Sequence, residues 1–317
     1  MTTRPLVDPE LAALLDQIPT VKLTEEIVKQ VRAMGQTQKF PNLPASPNIE
    51  VTECFVPGPE GSPEVRVLLY QPITVEGSRP ALLWMHGGGY ILGFPEQEDF
   101  MVKNMVSAIG CIVVSVDYRL APETRYPGSI EDCYAALKWL HTHGSELRVD
   151  PTRIAVGGSS AGGGLAAALG LLARDRGEIP LAFQLLIAPM LDDRTCALAE
   201  PHPYTGEFVW THDANHFGWT SLLGQEPGVP DVSHYAAAAR AKHLEGLPPT
   251  FINVGALDLF LEEDMEYARR LTRAGVPTEF HLYPGAYHGF RMVADAQVTQ
   301  TAERDQLAAL KRALGQS

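Results

Sequence analysis

A serine that stands between two glycines, where a strand passes into a helix, is the residue of this sequence best suited to covalent chemistry. The stretch RIAVGGSSAGGGLAAAL (153–169) has the pattern of a strand, a turn G-S-S-A-G at 158–162 and a helix of small residues. Such a sharp reversal strains the backbone of Ser160 and leaves no room for side chains at the flanking glycines. The amides and partial positive charge of the helix N-terminus would stabilise negative charge that develops above the serine. The pattern therefore predicts that Ser160 is the nucleophile of an acyl-transfer reaction.

Two other interpretations of this stretch compete with a catalytic role. A phosphate-binding loop requires a Gly-Lys-Ser/Thr ending, and no lysine occurs between Lys138 and Lys242. The dinucleotide pattern G-x-G-x-x-G also fails, because serine occupies its third position in either register. Packing of a small-residue helix against a sheet stays open as the alternative.

A serine nucleophile needs a base, and the base needs a carboxylate that orients it. On a strand–turn–helix nucleophile motif these groups follow in the order Ser, Asp, His, each just after a strand. His288, in LYPGAYHGF, lies in a glycine-flanked loop after the last predicted strand, whereas the other histidines lie in strand, helical or irregular contexts. Asp258 directly follows the strand TFINVGAL, while the acidic residues 262–264 fit the N-terminus of a helix. Asp258 and His288 are therefore the predicted partners of Ser160.

The stretch LLWMHGGGYILG (82–93) sets a histidine and three glycines directly after a predicted strand. Glycine weakens a strand or helix by roughly 0.5–1 kcal/mol relative to alanine, so three in a row suggest a backbone that must come close to a ligand. Acyl transfer passes through an oxyanion, which backbone NH groups can stabilise. We expect this loop to present such groups beside Ser160, together with the amide of Ala161, the residue after the nucleophile. A merely flexible turn is the alternative.

Short apolar, β-branched runs recur along the chain with helical stretches between them. From residue 111 onward the runs are almost continuously apolar, which is typical of strands buried on both faces of a parallel sheet. Helical stretches that end at glycine cover 129–144, 262–275 and 303–315, and the first begins with a capping-type serine, Ser129. This alternation predicts an α/β protein with a doubly wound sheet. The predicted strands are 48–56, 64–72, 81–88, 111–119, 153–159, 183–189, 250–258 and 279–285.

The first two predicted strands are joined by the Gly/Pro-rich PGPEGSPE and are expected to form an antiparallel hairpin at one edge. Two regions interrupt the alternation. Residues 1–45 contain two amphipathic helical stretches and lead into the linker FPNLPASP, and residues 191–245 are long, irregular and aromatic. Because long insertions in compact domains are often lids, we expect these regions to form a cap over a catalytic core of residues 46–190 and 246–317.

Composition excludes several classes of protein. With 25 basic and 38 acidic residues the formal charge is −13, which opposes binding to nucleic acid. The first twenty residues lack a continuous apolar core, and no stretch reaches the ~20 apolar residues of a membrane helix, so a cytoplasmic protein without a membrane span is expected. The four cysteines are far apart and lack a CxxC pair, so we expect them to be reduced and mostly buried.

Taken together, the motifs resemble a known family. In this order, HGGGY, DYRLAPE, YPGSIEDCYAALKWL, GGSSAGGGLAAAL, DLFLEE and YHGF look like the hormone-sensitive-lipase-like, or bacterial family IV, carboxylesterases, and the similarity runs from about residue 45 to the C-terminus. The resemblance implies an α/β-hydrolase fold, with a mostly parallel eight-stranded sheet, helices on both faces and a helical cap. It also implies a triad of Ser160, Asp258 and His288 and oxyanion amides from Gly87, Gly88 and Ala161. His86 would brace the loop, and Gly89 would let it turn.

The sequence departs from the family at two places. Ser159 stands where the family often has aspartate, and Leu259 where it often has proline. Neither change removes a reacting group, but both leave the local loop contacts open. Related plant hormone receptors have lost the catalytic histidine, which this sequence keeps as His288, and this favours an active enzyme.

The prediction is a serine carboxylesterase that hydrolyses short- to medium-chain esters through an acyl-enzyme, with a small-molecule ester as its partner and no metal or organic cofactor. Candidates for contact with the substrate are Tyr90, Phe208, Trp210 and Ser159. The alternatives are an arylformamidase or amidase that uses the same triad, and a non-catalytic small-molecule receptor. The last strand, near 279–283, is expected at a sheet edge, where pairing with a second copy could form a homodimer.

Overall fold

Eight strands form one sheet in the order β1-β2-β4-β3-β5-β6-β7-β8. The computed structural model describes residues 2–18, 21–35, 43–74 and 77–315. β1 pairs antiparallel with β2, and β2 with β4, while all other neighbouring strands run parallel. The predicted eight-stranded, mostly parallel sheet and the antiparallel hairpin at its edge are confirmed. The strands are β1 Ile49–Val56, β2 Val65–Pro72, β3 Arg79–Met85, β4 Ile112–Asp117, β5 Val149–Ser159, β6 Phe183–Ile187, β7 Thr250–Gly255 and β8 Thr278–Tyr283.

Helices cover both faces of this sheet because alternate residues of each strand point to opposite sides. On β3, Leu83 and Met85 belong to one core cluster, and Leu82 and Trp84 belong to the other. The first cluster holds residues of α4, α5 and α7, and the second holds residues of α3 and α8. The helices are α1 Pro9–Leu15, α2 Glu25–Gly35, α3 Asp99–Ile109, α4 Gly128–Thr142, α5 Ala161–Arg176, α6 His212–Leu223, α7 Leu261–Arg273 and α8 Gln297–Leu314.

The ends of the helices differ from the predictions in two places. Ser129 does not cap α4, because the helix already begins at Gly128 and Ser129 is buried in its first turn. α8 begins at Gln297, six residues before the predicted start at 303. Its first turns are polar and lack an acidic residue at the start, so this end carries no strong signal in the sequence.

The 191–245 segment has an irregular sequence pattern but contains α6, which agrees with the helical cap that the family resemblance implies. The side chain of Thr211 accepts a hydrogen bond from the amide of Ala214, and Gly224 ends the helix in a left-handed conformation. These two capping interactions favour a helix although the segment is rich in residues of lower helix propensity, namely His, Asn, Phe, Trp and Thr. The start of the linker FPNLPASP lies outside the described residues.

The N-terminal segment contacts the 191–245 segment directly. The Glu207 carboxylate accepts hydrogen bonds from the hydroxyl of Thr2 at 2.5 Å and from the hydroxyl of Thr3 at 2.6 Å. Phe208 packs on a cluster that includes Val7 and Leu11. β8 is the edge strand of the sheet opposite β1, and the homodimer expected through it stays a prediction.

Candidate active site

Ser160 lies at the turn between β5 and α5. β5 ends at Ser159, α5 begins at Ala161, and Ser160 has a φ of 54° and a ψ of −121°, a strained conformation for a residue with a side chain. The Ser160 amide donates to the carbonyl of Ile187 at 2.8 Å, which holds the turn against β6. The surrounding structure therefore fixes the strained residue in place.

The glycines on either side of this turn are needed for space. A Cβ at Gly158 would lie 2.3 Å from the backbone of Gly162, and a Cβ at Gly162 would lie 2.1 Å from the carbonyl oxygen of Met85. Both distances are far shorter than a normal contact, so any side chain here would push the strand and helix apart. The G-x-S-x-G spacing predicted this requirement.

The structure brings Ser160, His288 and Asp258 together. Nε2 of His288 is 3.0 Å from Oγ of Ser160, and Nδ1 of His288 is 2.8 Å from Oδ2 of Asp258. The other oxygen of Asp258 accepts a hydrogen bond from the amide of Phe260 at 3.0 Å. Asp258 and His288 are both buried, at 1% and 8% exposure. With Nδ1 donating to the carboxylate, Nε2 is left to accept the serine proton.

Aromatic side chains surround the imidazole of His288. The ring of Phe260 meets it edge to face at a centroid distance of 5.1 Å, and Trp210 lies 6.4 Å away. Tyr287, the residue before His288, donates its hydroxyl to the carbonyl of Leu11 at 3.1 Å. The loop that carries His288 is thus anchored to the N-terminal helix α1.

The HGGG loop leads from the end of β3 toward this group. A Cβ at Gly88, whose φ is +126°, would lie 2.2 Å from the carbonyl oxygen of Leu92. A Cβ at Gly89 would lie 2.0 Å from the ring of Trp210. Among the described residues, the amides of Gly88 and Gly89 make no hydrogen bond. The amide of Ala161 has no intrahelical acceptor, because it opens α5.

Gly87 differs from its two neighbours. Its amide donates to Oε1 of Glu98 at 3.2 Å, so this NH group is already engaged. This is contrary to the expectation that Gly87 would offer a free amide to an oxyanion. The spacing of the glycines does not show which of their amide groups donates a hydrogen bond to a side chain from a later turn.

Buried aromatic residues pack around the HGGG loop and hydrogen-bond its neighbours. The ring of His86 stacks on Tyr118 at a centroid distance of 4.3 Å, and the Tyr118 hydroxyl donates to the His86 carbonyl at 2.8 Å. Tyr90 is 1% exposed, and its hydroxyl donates to the carbonyl of Met190 at 3.1 Å. These contacts fit the bracing role expected of His86 and give Tyr90 a packing role as well.

The four candidates for substrate contact lie in different surroundings. Trp210 packs on Gly89 beside His288 and donates its indole NH to the side chain of Asn215 at 3.1 Å. Phe208 packs on Tyr287 and lines a cavity of about 180 Å³ at the N-terminal helices. The Ser159 hydroxyl donates to Glu98, and Tyr90 is buried as described. Of these four residues, Trp210 is the one that reaches the neighbourhood of the imidazole.

Sequence reasoning missed Glu98. Its carboxylate accepts hydrogen bonds from the indole NH of Trp84, the amide of Gly87 and the hydroxyl of Ser159. It lies in the acidic turn PEQED, and nothing in its type or spacing distinguishes it from its acidic neighbours. The one sign in the sequence that the contacts differ here is Ser159, which stands where the family often has aspartate.

Two buried carboxyl groups follow Asp258 on α7. Burial raises the pKa of Glu263 well above its ordinary value, and the nearby Asp192 adds to the rise. Burial, together with the charges of Glu263 and Asp258, also raises the pKa of Asp264 well above its ordinary value. Glu263 accepts hydrogen bonds from the amides of Leu191 and Asp192, whereas neither oxygen of Asp264 has a hydrogen bond within the described residues.

Three further features concern metals, membranes and cysteines. The part of the chain that the structure describes contains no group of three or more His, Cys, Asp or Glu side chains able to hold a metal ion. Among the described residues, no helix is both long enough and apolar enough to cross a membrane. All four cysteines are described and unpaired. Cys111 and Cys133 are buried and Cys54 and Cys196 are half-buried, whereas most of the four were expected to be buried.

Comparison with known proteins places the chain among the esterases. Residues 82–292 match the α/β hydrolase fold family. The carboxylesterase NlhH of Mycobacterium tuberculosis is 37% identical over 98% of this chain and 97% of its own, and the esterase LipI of the same organism is 34% identical over 90% of this chain and 88% of its own.

Solved structures give the same result. A bacterial heroin esterase is 42% identical, with a TM-score of 0.92 over the whole of both chains. The esterase LipW of Mycobacterium marinum is 33% identical, with a TM-score of 0.86 over 98% of this chain and 96% of its own. The resemblance to carboxylesterases noted in the sequence is confirmed. The chain belongs to the α/β hydrolase fold family and is a carboxylic ester hydrolase.

Proposed function

We propose that this enzyme is a serine carboxylesterase in which Ser160, His288 and Asp258 form the catalytic triad. The observation that carries the proposal is the continuous chain of hydrogen-bond distances, 3.0 Å from Ser160 to His288 and 2.8 Å from His288 to Asp258. Base and carboxylate are both buried, which strengthens their electrostatic interaction relative to water.

In the proposed reaction Oγ of Ser160 attacks the ester carbonyl carbon while Nε2 of His288 takes the hydroxyl proton. The tetrahedral intermediate collapses when the C–O bond to the alcohol breaks and His288 returns that proton to the leaving oxygen. Water, deprotonated by His288, then attacks the acyl-enzyme carbonyl. The second tetrahedral intermediate releases the acid as the bond to Oγ of Ser160 breaks and His288 returns the proton to that oxygen. Asp258 holds the imidazole tautomer and stabilises its charged form.

We assign the oxyanion donors to Gly88 and Ala161, with Gly89 in place of Gly87. The support for this assignment is that the Gly87 amide already donates to Glu98, whereas the amides of Gly88 and Gly89 have no acceptor among the described residues. An unpaired amide at a loop this close to the nucleophile is available to a developing negative charge.

The proposed substrates are esters with short to medium acyl chains. The support is the position of Trp210, whose large ring packs on Gly89 beside His288 and so takes up space next to the proposed nucleophile. We also propose that residues 1–45 and 191–245 act together as the cap, because Glu207 binds Thr2 and Thr3 and Phe208 packs with Val7 and Leu11.

Labelling by a p-nitrophenyl organophosphonate tests the proposal. The purified enzyme should lose its activity as one phosphonate is attached per chain, and peptide mass spectrometry should locate it on Ser160. Stable binding of a small ester without turnover or labelling would instead indicate a receptor. Faster turnover of a matched anilide than of the ester would indicate an amidase or arylformamidase.

A further inference from the structure

Glu98 joins the end of β3 and the glycine loop that follows it to the turn that carries Ser160, which lies much later in the sequence. Its carboxylate accepts from Trp84 on β3, from the amide of Gly87 in the glycine loop and from Ser159, the residue before the nucleophile. The same oxygen, Oε1, receives both the Gly87 amide and the Ser159 hydroxyl. One side chain therefore ties the loop to the turn that carries Ser160.

The contacts of Glu98 suit a carboxylate better than an amide. A carboxylate only accepts hydrogen bonds, and all of its three partners are donors. The half-buried guanidinium of Arg291, three residues after His288, also interacts favourably with the charge of Glu98. A glutamine at this position would direct an NH₂ group at one of the donors.

We propose that Glu98 is a positioning residue for ester hydrolysis, which sets the orientation of the oxyanion loop relative to Ser160. This inference rests on the proposed function. By holding the Gly87 amide, the carboxylate fixes the first peptide plane of the loop and hence the direction of the amides that follow. By holding Ser159 through the same oxygen, it fixes the loop relative to the nucleophile.

A packing role alone would have different consequences. If Glu98 only satisfied the buried indole NH of Trp84, its replacement would lower the stability and leave the chemistry of the folded molecules unchanged. If it positions the oxyanion donors, the loss must appear in transition-state stabilisation and not in binding of the substrate ground state.

The test uses Glu98→Gln, with Glu50→Gln on β1, which is exposed and remote, as the matched control. Because misaligned oxyanion donors affect the transition state, we expect kcat per active site to fall about 10- to 100-fold, with KM changed less than about twofold. Affinity for a trifluoromethyl ketone, which forms a tetrahedral adduct with the serine, should fall by the same factor as kcat/KM. An unchanged kcat and ketone affinity, with only a lower melting temperature, would overturn the proposal.

A second variant keeps the test decisive. Ser159→Ala removes one link and leaves Glu98 in place, so a smaller loss of kcat at constant KM is expected, and this variant serves if Glu98→Gln fails to fold. A normal kcat in Ser159→Ala would contradict the positioning role.

Ser160→Ala is measured beside these variants to separate the two proposals. Near-normal turnover by Ser160→Ala would refute the triad itself. An inactive Ser160→Ala together with a fully active Glu98→Gln would refute only the role of Glu98.

Discussion

Replacement of Gly88 by alanine should damage catalysis far more than substrate binding. Gly88 has a φ of +126°, and an added Cβ would lie 2.2 Å from the carbonyl oxygen of Leu92. The Gly88 carbonyl also accepts from the amides of Ile91 at 3.1 Å and Leu92 at 2.8 Å, so the turn cannot relax without breaking these bonds. The Gly88 amide must therefore move away from the position assigned to the oxyanion.

The magnitude follows from the loss of one donor. Removal of a single oxyanion donor lowers kcat by about 10²- to 10³-fold, or roughly 3–4 kcal/mol in transition-state stabilisation. Strain at an unfavourable φ should lower the free energy of unfolding by about 1–3 kcal/mol. KM should change by less than about twofold, because the neutral ester carbonyl gains little from the donor that the transition state needs.

Steady-state kinetics with p-nitrophenyl butyrate, corrected for active sites by phosphonate titration, measures these effects. Gly61→Ala is the matched control, because Gly61 also has a positive φ, +74°, but has no atom within 4 Å of the added Cβ. It should be mildly destabilised and keep its full kcat. A Gly88→Ala enzyme with kcat within about threefold of wild type, or one that loses activity only through KM, would refute the oxyanion assignment.

Three further predictions concern the surroundings of the site. Trp210→Ala should shift the acyl-chain preference of the enzyme toward longer chains, because it opens space beside Gly89. A series of p-nitrophenyl esters with acyl chains of about two to about sixteen carbons measures this preference. An unchanged preference would count against Trp210 as a wall of the substrate pocket. Asp264→Asn should gain stability relative to wild type as pH rises. A carboxyl whose pKa is raised by folding stabilises the folded state below its unfolded pKa, and this contribution is lost as pH rises through the folded pKa. Melting temperatures of both proteins at about pH 4 and about pH 8 test this, and an equal difference between the two proteins at both pH values would contradict it. Glu207→Ala should speed amide hydrogen exchange at Leu6 and Val7, which donate to the carbonyls of Thr3 and Arg4, because it releases Thr2 and Thr3. Exchange at the wild-type rate would mean that these bonds do not hold the N-terminus.

The sheet and the motif residues were predictable because their signals are local or strongly patterned. Strands buried on both faces are apolar at nearly every position, so the parallel strands stood out. Ser160, Asp258 and His288 each follow a strand, and parallel strands bring their carboxyl ends to one edge of the sheet, where the three side chains meet.

Contacts between distant turns could not be predicted in the same way. The bond from Gly87 to Glu98 depends on how the turn before α3 folds back on the glycine loop, which spacing does not encode. The residue pattern alone did not locate α6, because its capping residues, Thr211 and Gly224, enclose residues that weakly favour a helix. In both places the local conformation depends on tertiary contacts that the residue pattern does not encode.

Turnover by Ser160→Ala tests the central claim most directly. If Ser160 is the nucleophile, this variant should fold with a melting temperature close to that of the wild type and lose roughly 10⁴- to 10⁶-fold in kcat on p-nitrophenyl butyrate, with no acyl-enzyme mass detectable. Near-normal turnover by a folded Ser160→Ala enzyme would contradict the proposed mechanism.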